Sequence, residues 1–197
     1  MFRTSLLLAL AAFAIAAPSI RQSCADVTVI FARGSTEPPP IGLLVGPQFE
    51  AALQSALGSR SLNFVGVDYA ASLLRYLEGG DRQGAATMAQ DVESAAASCP
   101  ETKIVMSGYS QGGELIHLAV PELPAATQDR INAIVIFGDP EDGQPFPGNL
   151  NSVEKTFCHE GDNICSHGIL ILPPHLTYAD DAPAAANFVV STIFGQM

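Results

Sequence analysis

The chain has 197 residues, 48% hydrophobic and 15% charged. That is enough for one ordinary domain with a sizeable core, and too apolar for a disordered chain. A net charge of −11 opposes binding to nucleic acid and to anionic membranes.

The N-terminus reads as an export signal. Arg3 supplies a short positive region, and Ser5 to Ala17 is an apolar run too short to span a bilayer. Ala14, Ala16 and Ala17 then offer an Ala-x-Ala cleavage site at or near Ala16. Residues 1–16 are therefore expected to be a signal peptide, 17–23 a short N-terminal segment or pro-segment, and 24–197 a single domain. Loss of Arg3 takes the charge to −12, because no acidic residue precedes Asp26. No later stretch approaches membrane length. A secreted, extracellular protein with no integral membrane association is expected.

Val27 to Ala32 is a continuous apolar run, the pattern of a buried parallel strand. Arg33 to Pro40 breaks it with glycine and prolines. Phe49, Leu53, Ala56 and Leu57 recur at helical spacing within 47–57, and Leu62 to Val67 reads as a second strand. Gly84 to Ser98 is Ala-rich and helical, ending at Cys99-Pro100. Lys103 to Ser107 is a third strand that runs into Gly108-Tyr109-Ser110-Gln111-Gly112, and Gly113 to Val120 is the helix that follows. Ile131 to Phe137 is a fourth strand, stopped by Gly138-Asp139-Pro140. Residues 142–151 read as loop, Lys155 to Cys158 as a short fifth strand, and Ala182 to Phe194 as a closing helix. Strands alternating with helices predict an α/β domain: a mainly parallel sheet of about five strands with helices on both faces. The strand order stays open.

Four cysteines in an exported chain point to disulfides, and three pairings are possible. Cys158 and Cys165 could close a small loop, and Cys24 and Cys99 would then tie the N-terminus to the end of a helix. No Cys-x-x-Cys pair suggests a metal site.

Ser110 carries the first chemical signal. A Gly-x-Ser-x-Gly run between a strand and a helix forms a sharp turn that lifts the serine hydroxyl above the sheet edge. Side chains at 108 and 112 would collide with neighbouring backbone. The Gln111 amide and the helix N-terminus face the place where an oxyanion would form. Such a serine needs a base and a carboxylate that orients it, here in the chain order serine, acid, histidine. His117 is carried about two turns away from Ser110. His159 precedes most acids, and His167 sits beside the acid loop. His175 comes last, presented by Pro173-Pro174, and is the expected base. Two acids compete. Asp139 lies just past a strand, and Asp162 lies between Cys158 and Cys165; the residues alone do not separate them.

Four motifs in order resemble the fungal cutinases, small serine esterases of the α/β-hydrolase fold. They are Phe31-Ala32-Arg33-Gly34-Ser35-Thr36-Glu37, the Ser110 pentapeptide, Cys158-His159-Glu160-Gly161-Asp162-Asn163-Ile164-Cys165, and Pro174-His175-Leu176-Thr177-Tyr178. The likeness runs from about Cys24 to Phe194. It implies a three-layer α/β/α hydrolase fold without a lid and a Ser110, Asp162, His175 triad. It also implies an oxyanion hole from Ser35 and Gln111, disulfides Cys24–Cys99 and Cys158–Cys165, and no cofactor or metal. Gly113-Glu114 departs from the small apolar residues often found there.

The expected activity is hydrolysis of cutin or short esters through an acyl-enzyme. An acetylxylan esterase, a lidless lipase and a catalytically silent cuticle- or wall-surface binder are the alternatives. Leu73, Leu74, Tyr76 and Leu77, with Ile171, Leu172 and Leu176, would form an apolar rim around Ser110, with about half of these leucines in the core. The expected partners are an insoluble polyester or small esters, and a monomer is expected.

Overall fold

The computed structural model describes residues 24–195. The expected signal and N-terminal segment, residues 1–23, lie outside the described residues. Five parallel strands form one sheet: β1 (Val27–Ala32), β2 (Leu62–Gly66), β3 (Lys103–Tyr109), β4 (Ile131–Phe137) and β5 (Glu154–Phe157). Their spatial order is β2-β1-β3-β4-β5. The chain thus moves outward from β1 to β2, then crosses back to build the rest on the other side of β1. Ligands of open α/β sheets bind at such a reversal, beyond the strand C-termini. The loops after β1 and β3 both open there.

The continuous apolar strands are explained by burial on both faces, since all six residues of β1 are buried. Val27, Val29 and Phe31 enter one core with Phe49, Leu53 and Leu57 of helix α1 (Gly46–Leu57) and Ala185, Ala186 and Val189 of the closing helix (Ala182–Phe194). Ile30 and Ala32 enter the other core, with Met88 and Val92 of one helix (Arg82–Ser98) and Leu115 and Ile116 of another (Gln111–Ala119). Two further short helices lie at Leu73–Leu77 and Ala125–Gln128. In chain order the six are α1 to α6. The result is three layers, α/β/α.

The periodic elements lie where the sequence pattern puts them, and their ends differ by a few residues. α3 starts at Arg82 because the Asp81 side chain accepts the Gly84 amide as an N-cap. β3 runs on to Tyr109, and α4 begins at Gln111. α2 was not foreseen: it has no buried residue, so it leaves no periodic apolar signature. Four short 3-10 turns were not foreseen either. The two that matter for the site are Pro173–Leu176 and Tyr178–Asp181.

The disulfides are Cys24–Cys99 and Cys158–Cys165, with Cα–Cα distances of 5.5 and 5.9 Å. The first joins the start of the described chain to the C-cap of α3 and closes a loop with a sequence separation of 75; the second closes one of 7. Chain-entropy arguments value them at about 4 and about 2 kcal/mol. Urea unfolding of Cys24→Ala/Cys99→Ala should therefore show the larger stability loss, with Cys158→Ala/Cys165→Ala costing about half as much.

Candidate active site

The turn between β3 and α4 is completed by one residue. Ser110 has φ 55° and ψ −122°, a left-handed conformation that a residue with a side chain rarely adopts. Its amide donates to the Phe137 carbonyl at 2.9 Å, and its carbonyl accepts from the Gly113 amide at 2.7 Å. A methyl group on Gly108 would overlap the Gly112 backbone, and one on Gly112 would overlap the Ala32 carbonyl. Both glycines are thus required by close backbone approach. The serine is displayed at the N-terminus of α4, where backbone amides and the helix dipole favour negative charge.

His175 lies in the 3-10 turn Pro173–Leu176 and is buried. Its Nδ1 is 2.8 Å from Asp162 Oδ2, so Nδ1 carries the proton shared with the carboxylate and Nε2 presents a lone pair. Nε2 is buried and has no hydrogen-bond partner among the described residues. Ser110 and His175 line the same 430 Å³ cleft without a hydrogen bond between them. Catalytic hydrogen bonds are often long before substrate is bound. Tyr109 supports the histidine from behind: its ring stacks on the imidazole at 5.2 Å, and its hydroxyl donates to the His175 carbonyl at 2.8 Å.

The geometry separates the two acids. Asp162 is buried within the Cys158–Cys165 loop. Its Oδ1 accepts from the Ile164 amide at 2.9 Å, and its Oδ2 accepts from Tyr178 at 2.6 Å as well as facing His175. Asp139 belongs elsewhere. Its Oδ2 is 2.9 Å from His117 Nε2, and its Oδ1 accepts from the Glu141 amide at 3.0 Å. The other histidines are also engaged. His159 Nε2 is 2.6 Å from Asp181, and His167 Nδ1 is 2.8 Å from the Pro140 carbonyl.

Ser35 and Gln111 meet across the sheet reversal. The Ser35 hydroxyl donates to Gln111 Oε1 at 2.9 Å, and Gln111 Nε2 donates to the Ser72 carbonyl at 3.1 Å. The loop after β1 is held by Glu37, whose carboxylate accepts from the Gly34, Leu43 and Leu44 amides at 2.8–2.9 Å. Arg33, itself buried, donates to the carbonyls of Glu37 and Tyr69 at 2.8 and 2.7 Å. Sequence reasoning assigned nothing to Glu37, Ser72 or Tyr178. Glu37 and Tyr178 stood within quoted motifs. Three loop amides around a carboxylate, or a phenol beside an acid, leave no signature until the chain is folded.

The cleft walls are apolar. Of the seven expected rim residues, Leu73, Tyr76, Ile171 and Leu176 line the cleft, together with Leu43, Leu44 and Ile169. Leu74, Leu77 and Leu172 are exposed but outside that lining. The expectation that about half of these leucines would be core is corrected: Leu73, Leu74, Leu77, Leu172 and Leu176 are all exposed, because the two cores are already filled by α1, α3, α4 and α6. No group of three or more His, Cys, Asp or Glu side chains among the described residues converges as a metal site would require.

Burial raises several tyrosine phenols around the site, Tyr76 and Tyr109 among them, and two groups stand out for their neighbours as well. Burial and the Asp162 carboxylate keep the Tyr178 phenol protonated far above its ordinary range. Glu114, in the first turn of α4, is pushed up to about 8 by burial, with Glu141 and Asp139 adding repulsion.

The sequence model of the family described as Cutinase matches residues 23–193. A cutinase of Monilinia fructicola is 55% identical over 186 residues, covering 93% of this chain and 92% of the other. A solved Trichoderma reesei cutinase in complex with a C11Y4 phosphonate inhibitor is 50% identical. It superposes with a TM-score of 0.82 over 86% of this chain and 77% of that one. An acetyl xylan esterase is 26% identical, with a TM-score of 0.72 over 87% of this chain and all of the other.

Two measurements check this geometry. Tyr178→Phe removes a donor from a buried carboxylate and is expected to cost about 1–3 kcal/mol in urea unfolding. Glu114 binds its proton more tightly in the folded state than in the unfolded one. The stability its neutral form contributes is therefore fully present below 4.5 and is lost as pH rises through about 8. Glu114→Gln should match the parent in melting temperature at pH 4 and exceed it at pH 8.

Proposed function

Since this chain belongs to the cutinase family, we propose that it is a secreted esterase that hydrolyses cutin and short-chain esters with Ser110, Asp162 and His175 as its triad. The observation that carries the assignment is His175, held by Asp162 on one ring nitrogen and sharing a cleft with a serine on a strained elbow.

His175 Nε2 takes the Ser110 proton as Oγ attacks the ester carbonyl. Asp162 fixes the ring and stabilises the imidazolium that forms. The charge developing on the carbonyl oxygen falls to the Gln111 amide, the N-terminus of α4 and Ser35. The Ser35 hydroxyl rests on Gln111 Oε1, so turning it to the oxyanion exchanges a neutral hydrogen bond for a charge-assisted one. Collapse of the tetrahedral species expels the alcohol, which takes its proton from His175. Water, deprotonated by the same histidine, then releases the acid from Ser110.

The apolar walls of Leu43, Leu44, Leu73, Ile169, Ile171 and Leu176 suit an acyl chain rather than a sugar ring. This favours a polyester of fatty acids over acetylated xylan. Export rests on the N-terminal pattern of residues 1–16 and on two disulfides, which persist in oxidising compartments.

Purified protein should release monomers from cutin and cleave short p-nitrophenyl esters, with little acetate released from acetylated xylan. Ser110→Ala should lower kcat by on the order of a million-fold, and Asp162→Asn by about 10,000-fold. Asp139→Asn should stay within a few-fold of the parent. Comparable losses in the two aspartate variants would overturn the triad.

A further inference from the structure

Beside the catalytic cleft lies a second crevice that the mechanism above does not use. Its volume is 370 Å³, and Tyr76 and Ile169 line both spaces. The Tyr76 hydroxyl donates to the Gly168 carbonyl at 3.3 Å, linking α2 to the loop before His175 at their common boundary. Beyond that boundary the lining changes from apolar to mixed, with Glu114, Glu141 and Gln144 beside Leu77 and Pro140.

Glu114 is the anomaly. Only 5% of its surface is exposed, yet its Oε2 is buried with no hydrogen-bond partner among the described residues. A buried polar atom without a partner costs folding free energy, so its retention calls for a cause outside the folded core. No partner among the described residues supplies one. Glu114 also lines a 280 Å³ recess that shares Gly79, Glu141 and Gln144 with the crevice, so the same residue borders two spaces. Gly80 rides directly above it; a methyl group there would come within 3.2 Å of the Glu114 Cδ.

We infer that this crevice is an accessory subsite that receives a hydroxyl group carried on the acyl chain of the substrate, with the Glu114 carboxyl as its hydrogen-bond partner. The inference rests on the esterase reading proposed above. Ligand class follows from the lining. Leu77, Pro140 and Ile169 accept an alkyl stem continuing from the cleft. Glu141 and the nearby Asp139 repel an anionic group. The Glu114 carboxyl, protonated below about 8, both donates and accepts, as a neutral alcohol requires. One hydrogen bond to an otherwise unmet buried group corresponds to about a five- to tenfold gain in affinity.

The test uses non-hydrolysable amides and the Ser110→Ala protein, so that binding is read apart from turnover. Calorimetry compares n-alkanamides with their ω-hydroxy counterparts over a series of chain lengths. At one or two adjacent lengths the hydroxyl should tighten binding by about five- to tenfold. The gain should survive a second substitution, Glu114→Gln, and vanish with Glu114→Leu. Amide chemical shifts of Gly79, Gly80 and Gln144 in the Ser110→Ala protein should move with the hydroxylated ligand and not with the plain one, a readout that needs no Glu114 variant. If no chain length shows a gain, if the gain persists in Glu114→Leu, or if those shifts do not respond, the subsite is disproved. Turnover of simple esters by the parent protein is measured separately; its absence would overturn the esterase reading, while the binding result would stand on its own.

Discussion

The backbone between β3 and α4 has one residue in which to reverse, and Ser110 makes that turn in a left-handed conformation. Such a conformation costs on the order of 1–3 kcal/mol and persists only where the surroundings over-determine it. Here they do. β3 is hydrogen-bonded between β1 and β4, the Ser110 amide is tied to Phe137, and α4 is locked by Leu115 and Ile116 in the core. Close approach at Gly108 and Gly112 leaves the turn no room to relax. Among the described residues, the other non-glycine positions with positive φ are Thr36, Ala71 and His167. Thr36 lines the cleft shared by Ser110 and His175 and its amide bonds to Ala71, while His167 lines the adjoining crevice. Positive-φ side-chain-bearing residues are thus gathered around the cleft and the crevice beside it, and none lies within a strand.

The acid loop works by saturation. Asp162 Oδ2 receives both Tyr178 and His175, and Oδ1 receives a backbone amide, so the carboxylate has donors on both oxygens and little freedom to swing. Tyr178 in turn accepts from the His159 amide and packs under the His159 ring at 4.2 Å, and His159 pairs with Asp181. The Cys158–Cys165 bridge holds the ends of this loop together. Position matters more here than attraction, because a buried acid–histidine pair is productive only while its geometry holds.

The three inner strands β1, β3 and β4 were legible because burial on both faces writes nearly continuous apolar runs into the chain, while the edge strands β2 and β5 are only partly buried and carry weaker patterns. Helices that bury a stripe were legible for the same reason. α2 was not, since it buries nothing, and its leucines were assigned partly to a core they do not join. Strand order was also hidden, because no local pattern records which strands pair. The choice between Asp139 and Asp162 shows the limit most plainly. Both are acids in turns, both are buried, and each faces a histidine. What separates them is which histidine the fold delivers, His117 from within α4 or His175 from the final loop. That is decided by packing some way along the chain, and it became legible only through likeness to a family.

The surface around the cleft carries a cost that the charge helps to contain. Leu43, Leu73, Leu74, Ile169, Leu170 and Ile171 are each more than half exposed, carried by α2 and the loops beside it rather than scattered. Such a patch invites self-association. A net charge of −11 makes copies of the chain repel one another at long range. A neutral, water-insoluble polymer presents no such charge, so the same patch can approach it without that penalty. Apolar walls and acidic surface then act as a single device: repulsion discourages the protein from covering its own cleft, and the absence of repulsion leaves an uncharged ester surface as the partner that the patch can meet.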